Sequence, residues 1–126
     1  TVAAMTSWQR LFATGAALIA LAIAAGAFGA HGLRDRLSTE RLAVFETGAR
    51  YHMYGALGVL ALALALERGL GDARAAWLLV AGTAIFAGTL YALALSGVKV
   101  LGAITPIGGA AMIAAWVWTA IAALRG

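Results

Sequence analysis

The sequence predicts an all-α integral membrane protein, a four-helix antiparallel bundle with a short interfacial helix between spans 1 and 2. Three observations carry this. Four long apolar runs, at residues 11–30, 47–66, 75–98 and 100–124, are almost free of charge. Hydrophobic residues make up 63% of the chain and charged residues 11%, against about 25% charged in a soluble domain. Such a chain lacks the polar surface to face water all round. The connections between runs are short, which makes successive spans antiparallel neighbours.

At a rise of about 1.5 Å per residue, roughly 20 apolar residues cross the hydrocarbon core. The spans are accordingly placed at about 9–30, 47–66, 75–96 and 101–124, in a single membrane domain covering 1–126. The first run follows Arg10 and ends among small residues. It is longer than the roughly 7–15 residues of a signal-peptide core, so it is expected to be a retained span.

The first connection, HGLRDRLSTERLAVFE at residues 31–46, is the only one with substance. Ser38 can cap a helix starting at Thr39, with Glu40 favourable in its first turn. Leu42, Phe45 and Ala49 follow at helical spacing, so an interfacial helix is expected to lead into the second span, with a bend at Gly48. That span carries one charge, Arg50, able to pair with Glu46 four residues earlier or to reach the interface. The second connection is ERGLGDAR at 67–74, and the third is the tight hairpin Ser96-Gly97-Val98-Lys99. The fourth span contains Pro106, the single proline. Either the helix starts there with Thr105 as its cap, or it starts near Val100 and the proline frees a carbonyl inside it. In the second case Thr105 and Thr89 offer hydroxyls to the irregular backbone; the same irregularity could line a path for a transported molecule.

Aromatic residues sort by type. Trp8, Trp77, Trp116 and Trp118 fall toward one interface, and Tyr51, Tyr54 and Tyr91 toward the other, as expected of belts at headgroup level. Basic residues do not sort: Arg10, Arg68, Arg74 and Arg125 face Arg34, Arg36, Arg41, Arg50 and Lys99, so orientation is undetermined. No basic cluster suggests nucleic acid.

In lipid, helices associate through close backbone approach, which small residues allow. Ala22, Gly26, Gly29, Gly48, Ala84, Gly88, Gly108 and Gly109 are the expected packing positions. Tight packing within the bundle accounts for them; a docked membrane protein or a second copy of the chain would use the same surfaces.

Reactive groups are few. The absence of cysteine removes thiolate metal sites and cysteine nucleophiles. The expected mid-depth groups are hydroxyls, those of Thr14, Thr83, Thr89 and Thr119 with Tyr91, and no acid or base. This speaks against a proton relay and against a hydrolase, and the chain is not expected to be an enzyme. His31 and His52 flank the first connection and are expected at the same membrane face, near Asp35, Glu40 and Glu46. They could hold a metal or haem, but no HxxH or HExxH spacing brings two ligands onto one helical face. No metal, no cofactor and no catalytic residue are therefore expected. The candidate functional positions are His31, Arg50, Tyr51, His52, Tyr91, Thr105 and Pro106.

Four blocks, GAFGAHGL at 26–33, FETGARYHMY at 45–54, FAGTLYALALSG at 86–97 and LGAITPIGGAAMIAAW at 101–116, closely resemble those of the DUF 423 / transmembrane protein 256 family. The resemblance covers nearly the whole chain in order. It implies a small four-span membrane protein, in bacteria of the inner membrane, and carries no catalytic residues. Its blocks mark Gly29, His31, Gly48, Tyr51, Gly88, Tyr91, Thr105, Pro106 and Gly108. The family pattern has a histidine four positions after the tyrosine of the second block. Here Gly55 stands there and His52 lies earlier, on a different helical face. The expected function is a non-enzymatic scaffold, assembly or lipid-organising component, with membrane lipid, other membrane proteins or a second copy as partners. The alternatives are a carrier or channel for a small or hydrophobic molecule, and a metal- or haem-binding membrane protein.

Overall fold

A computed structural model describes residues 5–126 as four helices, α1 Ser7–His31, α2 Thr39–Glu67, α3 Ala73–Ser96 and α4 Val100–Leu124. Each is long and apolar enough to cross a membrane. Their ends follow local chemistry. Thr6 and Gln9 close a reciprocal capping box at the start of α1. The Ser38 hydroxyl accepts from the Arg41 amide and starts α2, and the Asp72 carboxylate accepts from the Arg74 amide and starts α3. Gly97, at φ 73°, stops α3 in a left-handed conformation that suits glycine.

Two expectations change here. The turns after Ser38 are not a separate interfacial helix but the first turns of α2, which runs unbroken for 29 residues. Gly48 does not break it, because the missing side chain is needed for packing: a Cβ there would stand 3.1 Å from the Tyr91 ring. Of the two starts considered for the last helix, the earlier one is adopted. α4 begins at Val100 and carries Pro106 inside it. The Thr105 hydroxyl lies 3.1 Å from the Leu101 carbonyl and 2.6 Å from the Thr89 hydroxyl, which in turn donates to Ile85.

The helices are antiparallel and pack in chain order, α1 on α2, α2 on α3 and α3 on α4, while α1 only brushes α3. Missing side chains form the seams. Gly15, Ala22 and Gly29 make the buried stripe of α1, with Gly15 3.0 Å (as Cβ) from the Leu60 backbone and Gly29 2.9 Å from the Phe45 ring. Gly55 of α2 leaves a notch filled by Thr83 of α3, whose Cγ2 is 2.6 Å from where a Cβ would be. Gly82 and Gly108 bring α3 and α4 together backbone to backbone, each Cβ position 2.8–2.9 Å from the other's carbonyl oxygen. Two apolar clusters result. One, around Leu11, Val59, Leu62 and Leu79, sits toward the chain termini. The other, around Leu33, Phe45 and Ala94, sits at the loop side. A polar level lies between them.

Candidate functional site

That polar level is built by His52 and Thr83, two of the few polar side chains in the buried core. His52 of α2 is 7% exposed. Its Nδ1 stands 2.8 Å from the Tyr91 hydroxyl of α3. A phenol is the better donor of the two, so Tyr91 donates to Nδ1 and the imidazole carries its proton on Nε2. The Phe45 ring, 4.8 Å from that of Tyr91 between centroids, fixes the tyrosine. Nε2 is buried and makes no hydrogen bond; the Leu18 carbonyl of α1 faces the ring without closing one.

Thr83 is 1% exposed and its hydroxyl is also unpartnered. Other hydroxyls in these helices turn back to the carbonyl four residues earlier: Thr14, Thr47, Thr89, Ser96 and Thr119 all do so at 2.6–3.0 Å. Thr83 instead lays its side chain into the Gly55 notch, which leaves its proton uncommitted. An unmade hydrogen bond in a buried place costs about 1–3 kcal/mol, so two together mark a place of interest.

Depth follows from helix rise. Gly48 faces Tyr91 and Gly55 faces Thr83, so His52 is level with the stretch of α3 between them. That stretch lies about 7–20 Å below Ser96 at roughly 1.5 Å per residue, well inside a core about 30 Å thick. The expectation of hydroxyls alone at mid-depth is therefore corrected: an imidazole is there. Treating Thr47 as the membrane entry of the second span had put His52 near the surface. The neighbouring helices, not the polar content of α2, set the true level.

Because α1 and α3 barely touch, a groove opens between them with α2 as its floor. Its outer part, about 480 Å³, is walled by Leu21, Ala24, Ala25 and Phe28 of α1 and by Leu95 of α3. Its inner part, about 170 Å³, is walled by Leu18, Ala84, Ala87, Gly88 and Thr83. His52 and Tyr91 belong to both. A second hollow of about 520 Å³ lies between α2 and α4, with Tyr51, Tyr54, Phe86 and Trp116 around it. It is larger than either part of the groove, but neither of the two unpartnered buried residues borders it.

The remaining candidate positions scatter. His31 ends α1 and is exposed. Gly29 packs on Phe45, and His52 lies seven residues deeper along α2. The two imidazoles are thus about 13 Å apart along the bundle by helix rise, not at one membrane face. Among the described residues no group of three or more His, Asp or Glu could gather round a metal. Arg50 is exposed, and the ion pairs among the described residues are Arg68–Glu67 and Arg74–Asp72, not Arg50–Glu46. Tyr51 stacks on Tyr54 and Phe86 in the second hollow. Thr105 and Pro106 belong to the α3–α4 seam. Ala22 is buried, and Gly109 faces the Phe86 ring at 3.4 Å. Gly26 and Gly88, expected on packing faces, have nothing within 4 Å of a Cβ position; Ala84 is exposed and, like Gly88, lines the groove instead.

Two residues with structural weight went unread in the sequence. Thr83 carried no signal beyond being a hydroxyl. Arg41 was counted only among the basic residues of one membrane side, yet its Nε donates to the Ala94 carbonyl at 2.7 Å and ties the end of α3 to α2.

Residues 25–109 match the family described as Protein of unknown function (DUF423). The chain is 44% identical over 108 residues to the UPF0382 membrane protein YwdK of Bacillus subtilis, covering 83% of this chain and 88% of that one. It is 44% identical over 106 residues to a UPF0382 membrane protein of Staphylococcus epidermidis, covering 83% and 87%. A UPF0382 membrane protein of Staphylococcus haemolyticus is 39% identical over 112 residues, covering 88% and 92%. No solved structure matches the chain.

Proposed function

The chain belongs to the DUF423 family of membrane proteins, and we propose that it is a non-enzymatic, lipid-organising component of a bacterial plasma membrane that holds a hydrophobic molecule between α1 and α3. One observation carries the proposal: an apolar groove opens between α1 and α3, where the two helices fail to close over α2. Small-molecule sites are mostly apolar hollows, and this groove is walled almost wholly by apolar surface, which suits a hydrophobic occupant. The non-enzymatic part rests on what the walls lack. No carboxylate lines either part, and the one imidazole already spends Nδ1 on Tyr91. The bacterial placement rests on the relatives, bacterial proteins named as membrane proteins.

Gentle purification of the full chain, solvent extraction and mass spectrometry test this. A hydrophobic molecule is expected at close to one per chain. A Cβ at Gly88 meets nothing within 4 Å and projects into the inner groove, so Gly88→Leu is expected to occupy the groove and lose the molecule while folding normally. Equal retention by Gly88→Leu would overturn the proposal.

A further inference from the structure

We infer that the outward face of α2, at the loop side, holds the head of a phospholipid that ends in a primary ammonium, as phosphatidylethanolamine does. The site lies outside the α1–α3 groove and does not depend on what that groove contains.

Unpaired charge is the starting point. Arg50 faces out from α2, and no carboxylate among the described residues pairs with it. A lone guanidinium inside a span is costly. Glu46 stands one turn earlier and is also exposed. That spacing suits an ion pair, yet none is formed. Two charges of opposite sign are thus left free, about 6 Å apart along the helix axis. Glu46 also lines a hollow of about 340 Å³ with Gly29 and Ala30 of α1, Leu42 of α2 and Arg34 of the turn between the helices. Arg34 is exposed and makes no ion pair either.

Depth sets these charges in an order. Gly48 packs on Leu90 and Tyr91, so Glu46 lies about one turn below Ser96. The 24 residues of α3 span about 36 Å, roughly 3 Å beyond a 30 Å core at each end. Glu46 is therefore at the edge of the hydrocarbon. Arg50 is one turn deeper, and its long side chain leans back toward the start of α2 and that edge. From inside outward, the order is guanidinium and then carboxylate. A phospholipid presents its phosphate and then its terminal group in the same sequence.

The signs select the head. Phosphate suits the forked donors of Arg50 and Arg34. Glu46 opposes a purely anionic head and calls for a cation. A primary ammonium brings charge and N–H donors, whereas a trimethylated one brings charge alone. Tyr54, one turn deeper than Arg50, borders the hollow of about 520 Å³ between α2 and α4. One acyl chain lies there against Tyr51, Phe86 and Trp116.

The full chain in non-ionic detergent is titrated with the dioleoyl forms of phosphatidylethanolamine, phosphatidylglycerol and phosphatidylcholine, and bound lipid is read by native mass spectrometry. The first phosphatidylethanolamine is expected to bind about tenfold more tightly than either other lipid, the worth of one charge-assisted hydrogen bond. Arg50→Gln loses about tenfold for all three, because each carries the phosphate. Glu46→Gln loses the preference alone, so that the three affinities converge. Arg34→Gln loses severalfold for all three. These side chains are exposed, and thermal unfolding checks that each variant is folded. Equal wild-type affinities, or tighter binding of phosphatidylglycerol, would overturn the inference. So would a preference that survives Glu46→Gln. A lipid-free wild-type dimer that Arg50→Gln turns into monomers would assign the charges to a second copy and overturn it too. Phosphatidylethanolamine displaced by Gly88→Leu but not by Arg50→Gln lies in the α1–α3 groove, which overturns this placement and leaves the groove standing.

Discussion

At the residue scale, one hydrogen bond holds the buried His52 ring of α2 against Tyr91 of α3. Tyr91→Phe removes it and leaves Nδ1 buried without a partner. A loss of about 1 kcal/mol is expected, since hydrogen bonds between helices in lipid average somewhat less than that; thermal unfolding in detergent reads it. Thr83→Val should behave differently. It removes a hydroxyl that bonds nothing, so empty protein should lie within about 0.5 kcal/mol of wild type. Thr105→Val, which severs the 2.6 Å contact to Thr89, should lose about 1 kcal/mol. Asp72 carries the pH dependence. The Arg74 guanidinium and amide beside it hold its carboxyl below the ordinary value of 3.8. A lowered folded-state value means that its contribution is present above the unfolded value and vanishes as pH falls through the folded one. The start of α3 should therefore fray below about pH 4. Hydrogen exchange at the Arg74 amide, corrected for intrinsic rates, checks this, and Asp72→Asn should flatten the dependence. The His52–Tyr91 pairing was not legible in the sequence. His52 and Tyr91 were each candidates, but 39 positions separate them, and no local spacing joins residues on different helices.

At the scale of elements, the four helices were legible because bilayer thickness dictates their length and charge-free runs announce it. Their faces were only half legible. Two of the packing positions expected on the first span, Ala22 and Gly26, stand four residues apart, a step that turns about 40° around a helix with 3.6 residues per turn. The real stripe, Gly15, Ala22 and Gly29, recurs every seven and drifts about 20°. The two coincide at Ala22 and part at Gly26, which has open space around it. Substitutions separate the two kinds of glycine. Gly108→Ala drives a Cβ into the backbone of Phe86 and Gly82 and should lose about 2 kcal/mol or more. Gly26→Ala meets nothing and should gain up to about 1 kcal/mol from helix propensity. Unfolding with increasing sodium dodecyl sulfate ranks the pair. The Pro106 helix start was legible only as two alternatives, since the choice depends on hydroxyls from α3 as much as on α4.

At the scale of the whole molecule, α2 and α3 form the centre while α1 and α4 each lean on one of them. The groove exists because of this: where α1 and α3 fail to close over α2, a hollow remains. Sequence reasoning anticipated a bundle and had no means to foresee the gap, because periodicity reports which faces are small and not which pairs of faces meet. The arrangement also lets parts move separately. In Gly108→Ala, α4 is expected to lose amide protection while α1 to α3 keep theirs, which hydrogen exchange resolved by peptide mass would show. A last consequence concerns synthesis. Each helix rests chiefly on the one before it, so a span leaving the ribosome finds its berth already in the membrane. The chain can complete itself hairpin by hairpin, without waiting for a distant segment.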